Sequence, residues 1–226
     1  MKGDWIAALL FCGMLLLAGC SAKAAPVEQQ TKPQSMAAFT RESRIEDVQN
    51  DPAFDGFGRL LFPTNTYYYS GDTLEELEFT YYSHIDPDET VEIVNTLYDR
   101  VEAGQTVFYD IYTEQEKRAD PAKRDTGLFY FKGNPGEKFA ICNAGGAFAF
   151  VGAMQDSFPH VLELSKKGYN AFALIYRPGA QTACEDLARA ITFIFDHAQE
   201  LEVDTACYSL WGSTGKCHPA GSNKMN

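Results

Sequence analysis

Apolar positions along this chain change period several times, and each change marks an element. Residues Trp5 to Ala18 form an almost unbroken apolar run behind Lys2. That run is shorter than the ~20 residues a membrane-spanning helix needs and has the layout of an export signal. From Ala22 to Thr40 large apolar side chains nearly vanish among Ala, Gln, Pro, Ser and Lys, a composition that cannot bury enough surface to order itself. Arg41 to Asp72 has no period: Phe54, Phe57, Phe62 and Tyr67 to Tyr69 are broken up by Pro52, Gly56, Gly58, Pro63 and Gly71. These aromatics fit an extension glued onto a core, or a cleft lining that stacks on sugar faces. Phe79 to Tyr82 reads as a short strand.

Beyond residue 85 the periods become regular. Val91, Val94, Leu97, Tyr98 and Val101 form a helical stripe, opened by Asp86 as cap, Pro87 at the first position and Glu89 at the capping-box position, and closed by Gly104. Val107–Tyr112 alternates as a strand, a charged loop covers Thr113 to Asp125, and Gly127–Phe131 and Lys138–Cys142 are further strands. Phe158, Val161, Leu162 and Ser165 mark a helix that Gly168 stops. Tyr169–Tyr176 is continuously apolar, as expected of a parallel strand covered on both faces. Thr182 and Glu185 have capping-box spacing, and Leu187, Ile191, Ile194, Ala198 and Leu201 continue as a helix. The run TACYSLWG then predicts a buried strand ending in a small-residue turn at Ser213. Strand–helix alternation of this kind predicts an α/β fold, a parallel sheet with flanking helices.

Composition narrows the partners. A formal charge of -12 and a pI near 4.7 exclude nucleic acid and an anionic membrane face as binding surfaces. They leave neutral substrates open. Of six cysteines, Cys12 lies in the leader. Leu17-Ala18-Gly19-Cys20 resembles a bacterial lipobox, which implies cleavage before Cys20, lipidation of its thiol, and a membrane anchor on the cell surface or periplasmic side. Cys142, Cys184, Cys207 and Cys217 are scattered singly. Without a C-x-x-C pair no metal or cofactor is expected, and any disulfide pairing stays open. Cys142 and Cys207 sit in apolar runs and are expected to be buried.

Two segments carry candidate chemistry. Asn143-Ala144-Gly145-Gly146-Ala147-Phe148 follows a strand, and consecutive glycines let backbone N–H groups converge on an open space where a negative oxygen can sit. Gly212-Ser213-Thr214-Gly215 follows another strand and is similar to a nucleophile elbow, although Trp211 stands where G-x-S-x-G has its first glycine. With AICNAGGAFAFVGAMQDSFPHVLELSKKGY and CYSLWGSTG, the stretch from Val107 to Ser213 resembles the α/β-hydrolase superfamily, in its small esterase and lipase branch. The resemblance implies Ser213 as nucleophile and an oxyanion hole drawn from Gly145, Gly146, Ala147 and Thr214. It also implies a small ester or acylated carbohydrate as substrate.

The pattern departs from the family after Ser213. Pro219 and Gly221 oppose a helix there, and the later Asp and His of the triad have no counterpart. His218 is the only histidine past Ser213; His84 is expected to be structural, and His160 and His197 to be surface residues. The expectation is therefore a C-terminally truncated, impaired hydrolase, divided into a signal (1–19), a tether (20–45), an N-terminal extension (46–104) and an incomplete α/β-hydrolase core (105–226). The alternative is a non-catalytic surface lipoprotein that binds glycan or a partner through Tyr67–Tyr69. A P-loop is excluded by Leu210 and Cys217 at positions that need Gly and Ser or Thr.

Overall fold

In chain order the elements are α1 (Ile45–Gln49), the short strands β1 (Tyr69–Ser70) and β2 (Glu78–Phe79), α2 (Pro87–Glu102), β3 (Phe108–Tyr109), α3 (Glu114–Ala119), β4 (Gly127–Phe131), β5 (Lys138–Asn143), α4 (Ser157–Lys166), β6 (Asn170–Ile175), α5 (Ala180–Asp196), α6 (Ala198–Leu201) and β7 (Asp204–Gly212). The computed structural model describes residues 37–80 and 85–212. The expectations for the leader, Cys20, Tyr81 to His84, Ser213, Thr214, His218 and the rest of the tail lie outside those residues. Among the described residues no helix is long and apolar enough to cross a membrane.

The main sheet has the order β3-β4-β6-β5-β7. β5 runs parallel to both β6 and β7, while β4 is antiparallel to β6 and to β3. The fold is thus α/β with a mixed sheet: β4 alone runs against the other strands, and β3 beyond it returns to the direction of β5, β6 and β7. The reason is the short Gly133–Gly136 turn, which joins β4 to β5 without a crossover helix.

From β5 the chain steps one way to β6, then back across β5 to β7. Right-handed crossovers in opposite directions put α4 and α5 on opposite faces. Aromatic contacts follow that division. Phe158 of α4 packs edge-on against Phe129 at 4.9 Å. On the other face Phe193 of α5 lies 5.8 Å from Tyr109, and Tyr130 stacks on Phe172 at 4.4 Å.

The aromatic-rich N-terminal segment joins the α4 face. Phe57 stacks on Phe108 at 5.1 Å, and Phe54 and Phe62 are buried. Its aromatics are therefore mostly glue, with Tyr67 the exception at 68% exposed. Tyr68 reaches further and stacks on Phe150 at 4.5 Å, in the loop after β5.

Several local expectations change. The strand expected at Val107–Tyr112 contracts to Phe108–Tyr109. Helix α2 keeps its Asp86 cap, which accepts from the Asp88 N–H at 2.9 Å, but it buries Thr90, Ile93, Val94 and Leu97; Val91, Tyr98 and Val101 flank that face. The capping box expected at Thr182 is absent because α5 starts at Ala180. Thr182 sits inside the first turn and its hydroxyl donates to the carbonyls of Pro178 and Gly179 at 2.7 and 2.9 Å. A capping box occurs instead at Thr113–Glu116, opening α3 within the expected charged loop. The helix after Thr182 also breaks at His197, between α5 and α6.

β7 corrects the burial expectation. Tyr208, Leu210 and Trp211 are 41%, 49% and 43% exposed, and Cys207 is exposed. The cause is position: β7 pairs only with β5 and is the edge strand among the described residues.

The N-terminal ends of the parallel strands are closed by one side chain. Asn170, fully buried, accepts from Tyr130 Oη at 2.7 Å and from the Gly133 N–H at 2.9 Å, and its amide donates to the Asn134 and Glu137 carbonyls at 3.2 and 3.0 Å. Asn170→Ala leaves several of these groups dry and unpaired. It is expected to lower the unfolding free energy by about 3 kcal/mol, read as a fall in the urea midpoint.

Candidate active site

Parallel pairing fixes which loops meet. Asn143, the last residue of β5, is opposite Gly212, the last of β7, and its Nδ2 donates to the Trp211 carbonyl at 3.0 Å. The glycine loop after β5 and the residue that precedes Ser213 therefore leave the same edge of the sheet. Open α/β sheets bind ligands at this carboxyl edge.

The glycine loop is held in a left-handed path. Gly146 has φ 146°, and a Cβ there would come within 2.0 Å of the Phe150 carbonyl oxygen, so the position requires glycine. Ala147 and Phe148 follow at φ 52° and 59°. Two successive non-glycine residues in this region cost of order 1–3 kcal/mol each and persist only when their surroundings hold them. Here the Ala149 N–H donates to the Gly146 carbonyl at 2.8 Å and the Gly179 N–H to the Phe148 carbonyl at 2.7 Å. Tyr176 Oη donates to the Ala144 carbonyl at 2.7 Å. The loops after β5 and β6 are thus tied together.

The Gly145 N–H donates to Asp156 Oδ2 at 2.7 Å. That amide is occupied, which corrects its expected place in the oxyanion hole: an amide spent on a carboxylate cannot also receive a developing oxyanion. The N–H groups of Gly146 and Ala147 have no partner among the described residues.

Asp156 also stands at the start of α4, and beside it lies a small cavity of about 90 Å³ lined by Cys142, Asn143, Ser157, His160, Trp211 and Gly212. Ser157 is 1% exposed and its Oγ has no partner among the described residues. His160 Nδ1 is 2.6 Å from the Asp156 carbonyl. A carbonyl only accepts, so Nδ1 carries a proton, and Nε2 has no partner among the described residues. The ring lies 5.9 Å from the Trp211 indole, centroid to centroid. His160 is exposed, as expected of a surface residue, but it stands at the edge where the two candidate loops meet. His197 follows the last turn of α5, at the opposite end of the sheet, with its ring 4.1 Å from Phe193. Cys142 is buried, as expected. Burial, and then the charge of Asp156, push its thiol up to about 12, so it is not a nucleophile near neutral pH.

The end of β6 is set by a buried ion pair. Asp186 of α5, 0% exposed, accepts from the Arg177 backbone N–H and its Nη2, both at 2.7 Å, and from Tyr112 Oη at 2.6 Å. Arg177 Nη1 also donates to Asp120 at 2.7 Å. These bonds hold the guanidinium charge firmly, and burial followed by the Asp186 contact pushes the Tyr112 hydroxyl well above its usual range. Sequence reading passed over this cluster, because its members lie far apart in the chain. The one available signal was Arg177 directly after an apolar strand.

A larger groove, about 350 Å³, runs along β7 between Tyr208, Trp211, Leu164 and Tyr169. It is apolar and follows the side of the strand, away from the glycine loop. Among the described residues no three His, Cys, Asp or Glu side chains converge as metal ligands do.

No protein-family model matches the chain, and no curated protein does. Among solved structures it is similar to the crystal structure of MGS-M1, an alpha/beta hydrolase enzyme from a Medee basin deep-sea metagenome library, with 20% identity and a TM-score of 0.32 over 38% of this chain and 40% of that one. The chain thus spans less than half the length of that structure.

Two outcomes follow from the site's packing. Under native conditions at neutral pH, iodoacetamide is expected to modify Cys184 and Cys207 and spare Cys142 until the protein is unfolded, read by peptide mass spectrometry. Asp186→Ala takes from the Arg177 guanidinium its one fully buried partner and leaves it only the more exposed Asp120 and Glu185. It is expected to cost about 3–5 kcal/mol, read by denaturant unfolding.

Proposed function

We propose that the chain hydrolyses esters through a serine acyl-enzyme, with Ser213 as nucleophile and the N–H groups of Gly146, Ala147 and Thr214 as oxyanion donors. One observation carries this reading. The parallel register of β5 and β7 brings two unpartnered amides and the residue before Ser213 to one edge of the sheet. Preorganised donors of this kind act on the charge that develops in acyl transfer, and each is worth roughly 10²–10³ in rate.

The substrate class we assign is a small ester or an acylated carbohydrate. Phe148, 49% exposed at the strained turn of the glycine loop, supplies an apolar wall beside the donors. Export and lipidation at Cys20 belong to the same proposal and rest on the leader and the Leu17–Cys20 pattern.

The purified chain is expected to cleave p-nitrophenyl acetate and to become labelled at Ser213 by a fluorophosphonate. Ser213→Ala should abolish labelling and lower kcat by at least about 10³-fold. Absence of both reactions in the unsubstituted protein would overturn the reading. Exposed Tyr67 favours the second reading, a glycan-binding surface. That reading predicts saturable sugar binding which survives Ser213→Ala and is lost in Tyr67→Ala.

A further inference from the structure

Asp156 is a carboxylate that the fold buries without a counter-charge. It is 7% exposed and does not cap α4, and among the described residues its side chain accepts only from the Gly145 N–H, at 2.7 Å. Asp186, the other acid buried to this degree, shows what is missing: it is paired with the Arg177 guanidinium and also accepts from Tyr112. Buried charges are ordinarily matched in that way. Asp156 instead lines the cavity of about 90 Å³ at the carboxyl edge of the sheet.

We propose that this cavity binds a small primary ammonium group, either ammonium itself or the head of a short alkylamine. The site uses no residue past Gly212 and does not rest on the serine-hydrolase reading.

The wall selects this chemistry. Its field is negative: the Cys142 thiol, on β5, is raised first by burial and then by the charge of Asp156. The start of α4 offsets part of that charge, by roughly half a unit, and leaves the remainder uncompensated. Ser157 adds an unsatisfied oxygen. It is 1% exposed, it lines the cavity, and its Oγ has no partner among the described residues. Leaving such a group dry is costly, and an ammonium carries donors for both the hydroxyl and the carboxylate. Asn143 spends its Nδ2 on the Trp211 carbonyl at 3.0 Å, which leaves that amide an acceptor as well. Trp211 completes the wall with an aromatic ring, a surface that attracts cations. Trp211 is 43% exposed, so the site opens to solvent on that side.

Other occupants fit less well. An anion would meet Asp156 with no cation in the wall to receive it. Hard metal ions want about six to eight oxygens, and this wall includes a thiol and an indole. The Cys142, Asp156 and His160 side chains do not converge as metal ligands do. Water satisfies Ser157 but brings no charge to Asp156. Size agrees with a small amine: at ~30 Å³ per water the cavity holds two or three water-sized groups, enough for methylammonium and one water.

The test measures the unfolding temperature of the full chain, Ser157→Ala and Asp156→Asn in methylammonium, sodium, potassium and tetramethylammonium chlorides at equal ionic strength. At about 0.1 M, methylammonium is expected to raise it by at least about 2 °C over sodium in the unsubstituted chain. Tetramethylammonium, which is bulkier and has no N–H, should match sodium. Both variants should lose the rise. Ser157→Ala keeps the Gly145–Asp156 contact, so it decides the matter if Asp156→Asn fails to fold. If methylammonium acts no more than sodium, the cavity holds water alone and the proposal falls. An equal rise with potassium makes the site one for any monovalent cation and overturns the ammonium assignment. A methylammonium rise that survives Ser157→Ala arises elsewhere on the protein and overturns it too. None of these outcomes depends on whether Ser213 reacts with a fluorophosphonate, so this proposal and the hydrolase reading fail separately.

Discussion

Parallel strands cannot be joined by a tight turn, and this constraint organises the protein. Each connection must return along the sheet, so successive strands deposit their C-terminal ends on one edge. β5, central between β6 and β7, makes that edge productive. Its register with β7 ends at Asn143 and Gly212, and its loop is tied to that of β6 through Tyr176 and Gly179. Everything with candidate chemistry leaves from there. The opposite ends of the strands are closed by Asn170, which meets the β4–β5 turn and the start of β6 with no unfilled valence to offer a ligand.

Much of the fold was readable from period alone. The α4 stripe of Phe158, Val161, Leu162 and Ser165 is buried as expected, and the continuous run at residues 170–175 is fully buried in the middle of the sheet. What failed has a common origin in contacts between distant positions. Three Thr-x-x-Glu patterns occur in the chain, and the one at Thr73 lies in a turn outside any helix. Of the two that fall at helices, Thr113 caps and Thr182 does not, because Gly179 already starts α5 before Thr182. Cys142 and Cys207 occupy similar apolar runs, but one lies on a central strand and the other on an edge, which local pattern does not distinguish.

The candidate site was legible to the same degree. Gly146 and Ala147 were singled out from their spacing after a strand. Gly145 was assigned a free amide because nothing local announces that Asp156, eleven positions on, will occupy it. His160 looked like a solvent-facing helix residue, and it is exposed. Its position follows from the fold: α4 begins at the carboxyl edge, so its first turn lies near the end of β7. Asp156 joins these facts. Its carboxylate holds one loop amide and its carbonyl holds one ring nitrogen, which makes a short stretch before a helix the hinge of the arrangement.

Ala147 and Phe148 carry one more implication, for protein engineering. Glycine at either position would relax the left-handed backbone, and a stability screen would favour such replacements wherever that relief exceeds the extra freedom gained by the unfolded chain. The same replacements would remove the side chain that gives the turn its single shape and let the two open amides wander. A thermally hardened version obtained that way would melt later and aim worse, so selection for heat resistance and selection for turnover should pull these two positions in opposite directions.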